Sequence, residues 1–195
     1  MGAMKTLGLI LLAAAGTILI SCNNAKSGND PVAGAIKDKI AATVGAESAN
    51  VKIYNLEKVD SVRLGEELER RKATINLRIK KNGELLEGYL AKNMNNNASA
   101  KVTGIEKDRR RLTQLDSIAA VHASQLDSVI AFDYLVNGEA KGADGAKVLI
   151  DNMFTSVTPD LKVLAFEKEK RFLRKSTGHA IPGYDALYSA ASEEE

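Results

Sequence analysis

The chain has 195 residues, with 27 Lys or Arg against 25 Asp or Glu, for a formal net charge of +2. That near balance supplies no basic surface for nucleic acid, and the lack of Trp with only 5% aromatic residues argues against a stacking platform for bases or sugars. The single cysteine, Cys22, leaves no intrachain disulfide and no other thiol for metal or nucleophilic chemistry.

Lys5 precedes an apolar run over residues 7–20, which closes on Leu19-Ile20-Ser21-Cys22. A cation, a short apolar stretch and a small residue before a cut are the parts of a secretory signal. The run is too short for an ordinary membrane span of about 20 apolar residues, and Gly8, Gly16 and Thr17 dilute it. The last four residues read as a bacterial lipobox. Cleavage then falls before Cys22, whose thiol takes a thioether-linked diacylglycerol. Two or more acyl chains give stable anchoring, so the expected partner is a membrane. The alternative is an incidental cysteine in an ordinary secretory signal. Met1-Gly2-Ala3-Met4-Lys5-Thr6 also fits the myristoylation pattern, but the apolar run directly downstream argues against it.

The expected layout is a leader over 1–21, a flexible tether over 22–30, one α+β domain over 31–188 and an acidic tail over 189–195. Asp30 caps a first helix and Pro31 fits its first position, where the missing N–H costs nothing. Val32, Ile36, Ile40 and Val44 form one stripe, and Gly45 stops it. Residues 51–62 alternate as a strand. Residues 64–92 read as a long helix, with Glu66–Arg70 and Glu67–Arg71 pairs four apart and a bend or break near Gly83. The alternative is a hairpin there: Ile75, Leu77 and Ile79 alternate, and Asn82-Gly83 is a strong turn signal. A second helix over 98–125 lines Ile105, Leu112, Leu115, Ala119 and Leu126 on one side and turns Lys107 and Arg109, Arg110 and Arg111 to water. The two helices form an antiparallel hairpin.

Beyond the helices the period changes to two. Ile130, Phe132, Tyr134 and Val136 mark one strand, Val148, Ile150 and Phe154 a second, and residues 161–166 a third, with turns at 142–145 and at Thr158-Pro159-Asp160. The sum is an α+β fold: N-terminal helix, strand, helical hairpin, then a three-stranded antiparallel meander packed on the helices.

The chain resembles small uncharacterised lipoproteins of gut Bacteroidota. The likeness rests on the lipobox, on Asp60-Ser61 ahead of Gly65-Glu66-Glu67-Leu68-Glu69-Arg70-Arg71, on Phe132-Asp133-Tyr134, on Thr158-Pro159-Asp160 and on Gly178-His179-Ala180-Ile181-Pro182-Gly183-Tyr184. It implies a curved antiparallel sheet around helices, similar to cystatin or NTF2-like folds, and no catalytic residues. Surface-exported lipoproteins of that phylum usually carry acids soon after the cysteine. Residues 23–29 carry none, so a periplasm-facing, outer-membrane-anchored protein is expected. Asp60-Ser61-Val62, Asp116-Ser117-Ile118 and Asp127-Ser128-Val129 match the acceptor pattern for O-glycosylation in that phylum, at Ser61, Ser117 and Ser128. Helix caps and turns, which also favour Asp-Ser, are the other reading.

Little chemistry is legible. His122 falls on or beside the apolar stripe of the second helix and reads as a partly buried structural histidine. His179 sits in a glycine-flanked loop. Neither has an acid at ligand spacing, so no metal site is expected. Gly138, Gly142 and Gly145 are read as turn glycines, because no Gly-Lys-Ser/Thr follows them. No Gly-x-Ser-x-Gly elbow occurs. Most carboxylates sit beside cations on helix faces, the pattern of a solvated surface, and residues 168–175 read as a plain basic edge. No cofactor is implied. The expected function is a non-catalytic binding or scaffolding domain for an envelope protein or glycan. A cell-wall or glycan hydrolase and a cystatin-like inhibitor are the alternatives.

Overall fold

The computed structural model describes residues 30–186. The leader, Cys22, the tether up to residue 29 and the acidic tail lie outside them. Helix α1 (Pro31–Val44) begins as its sequence dictates. The Asp30 carboxylate accepts from the Val32 N–H at 2.9 Å, and Gly45 closes the helix in the left-handed region at φ 65. Ile36 and Ile40 of its stripe are buried, with Val32 and Val44 partly buried at the ends.

The sheet has four strands where the sequence suggested three plus a lone one. β1 (Val51–Arg63), β2 (Val129–Lys141), β3 (Lys147–Val157) and β4 (Val163–Glu167) lie in that order, each antiparallel to its neighbour. β1 joins by pairing with β2 from Val51 opposite Ala140 to Arg63 opposite Val129. A pairing that spans the whole helical segment leaves no local signature. Helix α1 packs on one face of the sheet, burying Val51, Ile53, Val136, Ala140, Ile150 and Val157. Gly138 is a correction. It lies inside β2, where a Cβ would collide with the Lys52 carbonyl oxygen, so it marks a close strand approach beside a register shift.

Between β1 and β2 stands the hairpin of α2 (Leu64–Ala91) and α3 (Asn95–Val121), with Asn93 at φ 54 in the turn. Helix α2 runs unbroken through Asn82-Gly83, which removes both the break and the β-hairpin alternative. Ile75 is buried and Ile79 partly buried in the second apolar cluster, while Leu77 is 70% exposed. The pattern there is helical despite its local alternation. A Cβ on Gly83 would meet open space, so the glycine costs only its intrinsic ~1 kcal/mol in helix propensity. The base of the hairpin is closed by the Leu64 N–H to Ser128 carbonyl bond at 3.0 Å and the Gly65 N–H to Leu126 carbonyl bond at 2.8 Å.

After β4 the chain forms a short helix, α4 (Lys170–Ser176), and a 3₁₀ turn (Thr177–Ala180). This corrects the reading of residues 168–175 as a plain surface edge. Leu173 is fully buried, and Ile181 and Tyr184 enter the cluster of Leu64, Leu68, Ile75 and Leu115. The C-terminal segment is thus a strap laid over the base of the hairpin.

Candidate functional site

Helix α2 places Glu67 one turn inside the hairpin base, between Leu64 and Leu68, and the carboxylate is 1% exposed. Three cationic or hydroxyl partners converge on it. Arg70 grips it through Nε at 2.8 Å and through Nη2, Arg71 Nε donates to Oε1 at 2.9 Å, and the Thr177 hydroxyl donates to Oε1 at 2.9 Å. The same two arginines reach the end of α4. Arg70 Nη2 and Arg71 Nη2 donate to the Arg174 carbonyl at 2.5 and 2.7 Å, and Arg71 Nη1 donates to the Tyr184 hydroxyl at 2.8 Å. Cations on the last carbonyls of a helix satisfy orphan acceptors and oppose its dipole. A Cβ on Gly178 would lie 2.6 Å from Arg71 Nη2 and 2.7 Å from the Tyr184 ring, so a larger residue there would displace the guanidinium or the ring.

A second set of acids lies beside the first. Asp60, Asp133 and Ser156 are direct cross-strand partners on β1, β2 and β3. Like charges placed opposite each other destabilise a sheet, and here the strap supplies the compensation. Arg174 Nη2 lies 3.1 Å from Asp60 Oδ2 and 2.9 Å from the fully buried Asp133, Lys170 Nζ lies 2.8 Å from Asp60, and the Ser156 hydroxyl donates to Asp133. The Lys170 hydrogen bond, with help from the Ser61 N–H and the Arg174 charge, holds the Asp60 carboxyl below the usual range. These ion pairs tie the strap to β1 and β2, while the buried Asp133 Oδ2 and Arg174 Nη1 are without a hydrogen-bond partner among the described residues.

A third buried acid, Asp108 on α3, is 2% exposed and held by Arg78 of α2 at 2.5 Å and by Arg111 at 3.2 Å. Arg111 therefore turns inward, correcting its assignment to the water face, whereas Arg109 and Arg110 are exposed as expected. Sequence reasoning missed Glu67 and Asp108 by treating helix acids near cations as solvated, and missed Asp133 by reading it as the outward-facing member of an alternating strand. A signal was present: Glu67 and Asp108 occupy the apolar stripes of their helices, one step from Leu68 and three from Ile105.

The modification candidates are scattered. Ser61 is half-buried on β1, its N–H bonded to Asp60 at 2.8 Å; Ser117 is exposed near the C-terminal end of α3, donating to the Thr113 carbonyl at 3.0 Å; Ser128 is exposed at the closing turn of the hairpin. His122 is half-buried at the end of α3, with Nδ1 3.1 Å from Gln125 Oε1. His179 is exposed, with Nδ1 2.5 Å from Asp185 Oδ1 and its ring edge-on to Tyr184. Among the described residues, no group of three or more His, Cys, Asp or Glu could hold a metal ion, and no helix is long and apolar enough to cross a membrane.

Two grooves remain. One of about 290 Å³ is lined by Thr158, Asp160, Lys162 and His179 with Ile130 and Ala180. Hydrogen bonding from Thr158 lowers the Asp160 pKa. The other, about 190 Å³, lies between the end of α1 and the β3–β4 edge and is walled by Ile40, Val44, Val148, Ile150, Met153 and Phe166. Beside it β3 has an open edge. β4 pairs only with residues 154–157, so among the described residues no strand lies beside 147–153 of β3 on that side. Comparison with known proteins found no matching protein-family model, curated protein or solved structure.

Proposed function

We propose that this chain is an envelope lipoprotein, tethered to the outer membrane through acylated Cys22 and facing the periplasm, whose α+β domain is a non-catalytic binding or scaffolding module. The observation that carries the binding role is the apolar groove running beside the unpaired edge of β3. An open strand edge offers main-chain hydrogen bonds to an extended polypeptide, and an adjoining apolar groove accepts its side chains. Radiolabelled palmitate incorporation that is lost in Cys22→Ser supports the anchor; an unlabelled protein with an intact leader overturns it. Cross-linking in intact envelopes is expected to trap a polypeptide on the groove, and a groove that traps none overturns the binding role.

A second reading, a hydrolase acting on cell-wall or glycan material, is favoured by the His179–Asp185 pair beside the polar groove. An acid that orients a histidine is a common part of general base sites. Turnover of a glycan substrate that disappears in His179→Ala supports this reading, and unchanged turnover rejects the histidine's role.

A further inference from the structure

We infer that the occupant of the β3 edge is a second copy of this chain, paired antiparallel to itself about Leu149 so that two four-stranded sheets become one of eight. This rests on the binding reading above and names its partner. The exposed side of the edge is apolar at its centre: Leu149 is 72% and Val148 40% exposed. Such residues on an unpaired strand form a template for pairing unless something covers them.

The sequence of the edge is complementary to itself in one register. Centring the pair on Leu149 sets Lys147 against Asp151 twice, Val148 against Ile150 twice and Leu149 against its own copy. Opposite charges and apolar pairs are then directly across from one another, the arrangement that stabilises an antiparallel pair. Centring on Ile150 instead sets Leu149 against Asp151 and Val148 against Asn152, which mismatches both. The backbone ends the pairing window at the same place. Asn152 is left-handed at φ 47 and its N–H turns back to Asn137 Oδ1 at 2.8 Å, so the regular stretch stops after Asp151. Val148 and Ile150 lie on the face that carries α1, and pairing them extends the groove of Ile40, Val44 and Phe166 into a shared apolar seam. Such a contact is isologous and closes at two copies. The exposed Lys168 donates to the Asp151 carbonyl at 3.1 Å and must swing aside as the edge is filled.

The test is photo-cross-linking of the full chain in its native envelope, with Leu149→p-benzoylphenylalanine, combined with charge reversal. A product of twice the chain mass is expected. Its yield should fall roughly tenfold in Lys147→Asp and in Asp151→Lys, each of which sets like charges together at two places, and should return in the Lys147→Asp/Asp151→Lys double variant. Both residues are exposed, but Lys147 also lies 3.6 Å from Glu139 of its own chain, so an unchanged far-UV circular dichroism spectrum and a cooperative melt of each variant serve as the check that the domain still folds. A doubled product indifferent to the charge changes overturns the register and with it the inference. A product containing a different protein overturns the second copy while the binding reading stands. No product of any kind overturns both.

Discussion

At its base, helix α2 buries Leu64, Glu67, Leu68 and Ile75; beyond Ile75 it has no fully buried residue, and Leu77, Leu85 and Leu90 are 70, 39 and 55% exposed. The base packs against the sheet end and the strap. The outer part packs on α3, around Ala98, Ile105 and the Arg78–Asp108–Arg111 group. The lesson is that one continuous helix is stabilised in two ways. The base depends on contacts far apart in sequence, and the tip on propensity and a narrow seam, so the two ends should fail separately.

The largest expected effect is at the base. Glu67→Ala leaves Arg70 and Arg71 without their shared carboxylate and Thr177 without its acceptor. Breaking a buried charge pair on one side costs about 3–5 kcal/mol, so urea titration should show a large drop in midpoint for the whole domain. Asp108→Ala removes the corresponding acid of the outer hairpin. Its arginines reach water more easily, and a loss of about 1–3 kcal/mol is expected. Hydrogen exchange should localise that loss to residues beyond Ile75. Equal loss of protection at base and tip would break the comparison.

A weaker effect separates the strap from both. The Asp60 pKa is lowered when folded, relative to an unfolded value of about 3.9. Its contribution is therefore full above that unfolded value and is lost as pH falls through the folded pKa. Asp60→Asn should flatten the acid limb of the stability–pH curve and leave the hairpin tip unaffected. Smallest of all, Gly83→Ala fills open space on an exposed helix and should stabilise by about 0.5–1 kcal/mol, read as a rise in tip protection.

The parts of the molecule legible in the sequence are those decided locally. Asp30, Pro31 and Gly45 announced both ends of α1, and Ile36 and Ile40 its buried face. The existence of β2 and β3 and the turn at 142–145 stand as read, but the alternation does not: Ala131 and Asp133 are buried between the half-buried Ile130, Phe132 and Tyr134, and Asn152 at φ 47 breaks the period in β3. Asn82-Gly83 pulled toward a turn because dipeptide preference is a weak local term, and packing of Ile75 and Ile79 on α3 outweighs it. The membership of β1 in the sheet and the polar junction were hidden for a different reason. Glu67 meets Thr177 across 110 positions and Asp60 meets Arg174 across 114, and no local pattern carries such a pairing. What the sequence did contain was a charge at a stripe position, Glu67 between Leu64 and Leu68, and a charge set among Phe132 and Tyr134 at Asp133. Those two are better guides to a buried polar junction than the neighbouring i,i+4 cations, which suggested solvent. The apolar groove draws on α1, β3 and β4 and was invisible until they came together.

The closing bonds from Leu64 and Gly65 to Ser128 and Leu126 make the hairpin a detachable cassette. Its two chain ends emerge side by side, so the strand pairing below is already complete without it, and Arg63 opposite Val129 could be joined by a tight turn. Grafting a foreign helical pair onto those two ends would keep the meander's register. It would also strip Ile181 and Tyr184 of their seat unless the first two turns of α2 were retained. Those turns, through Arg71, mark the shortest stub that a modular swap must preserve.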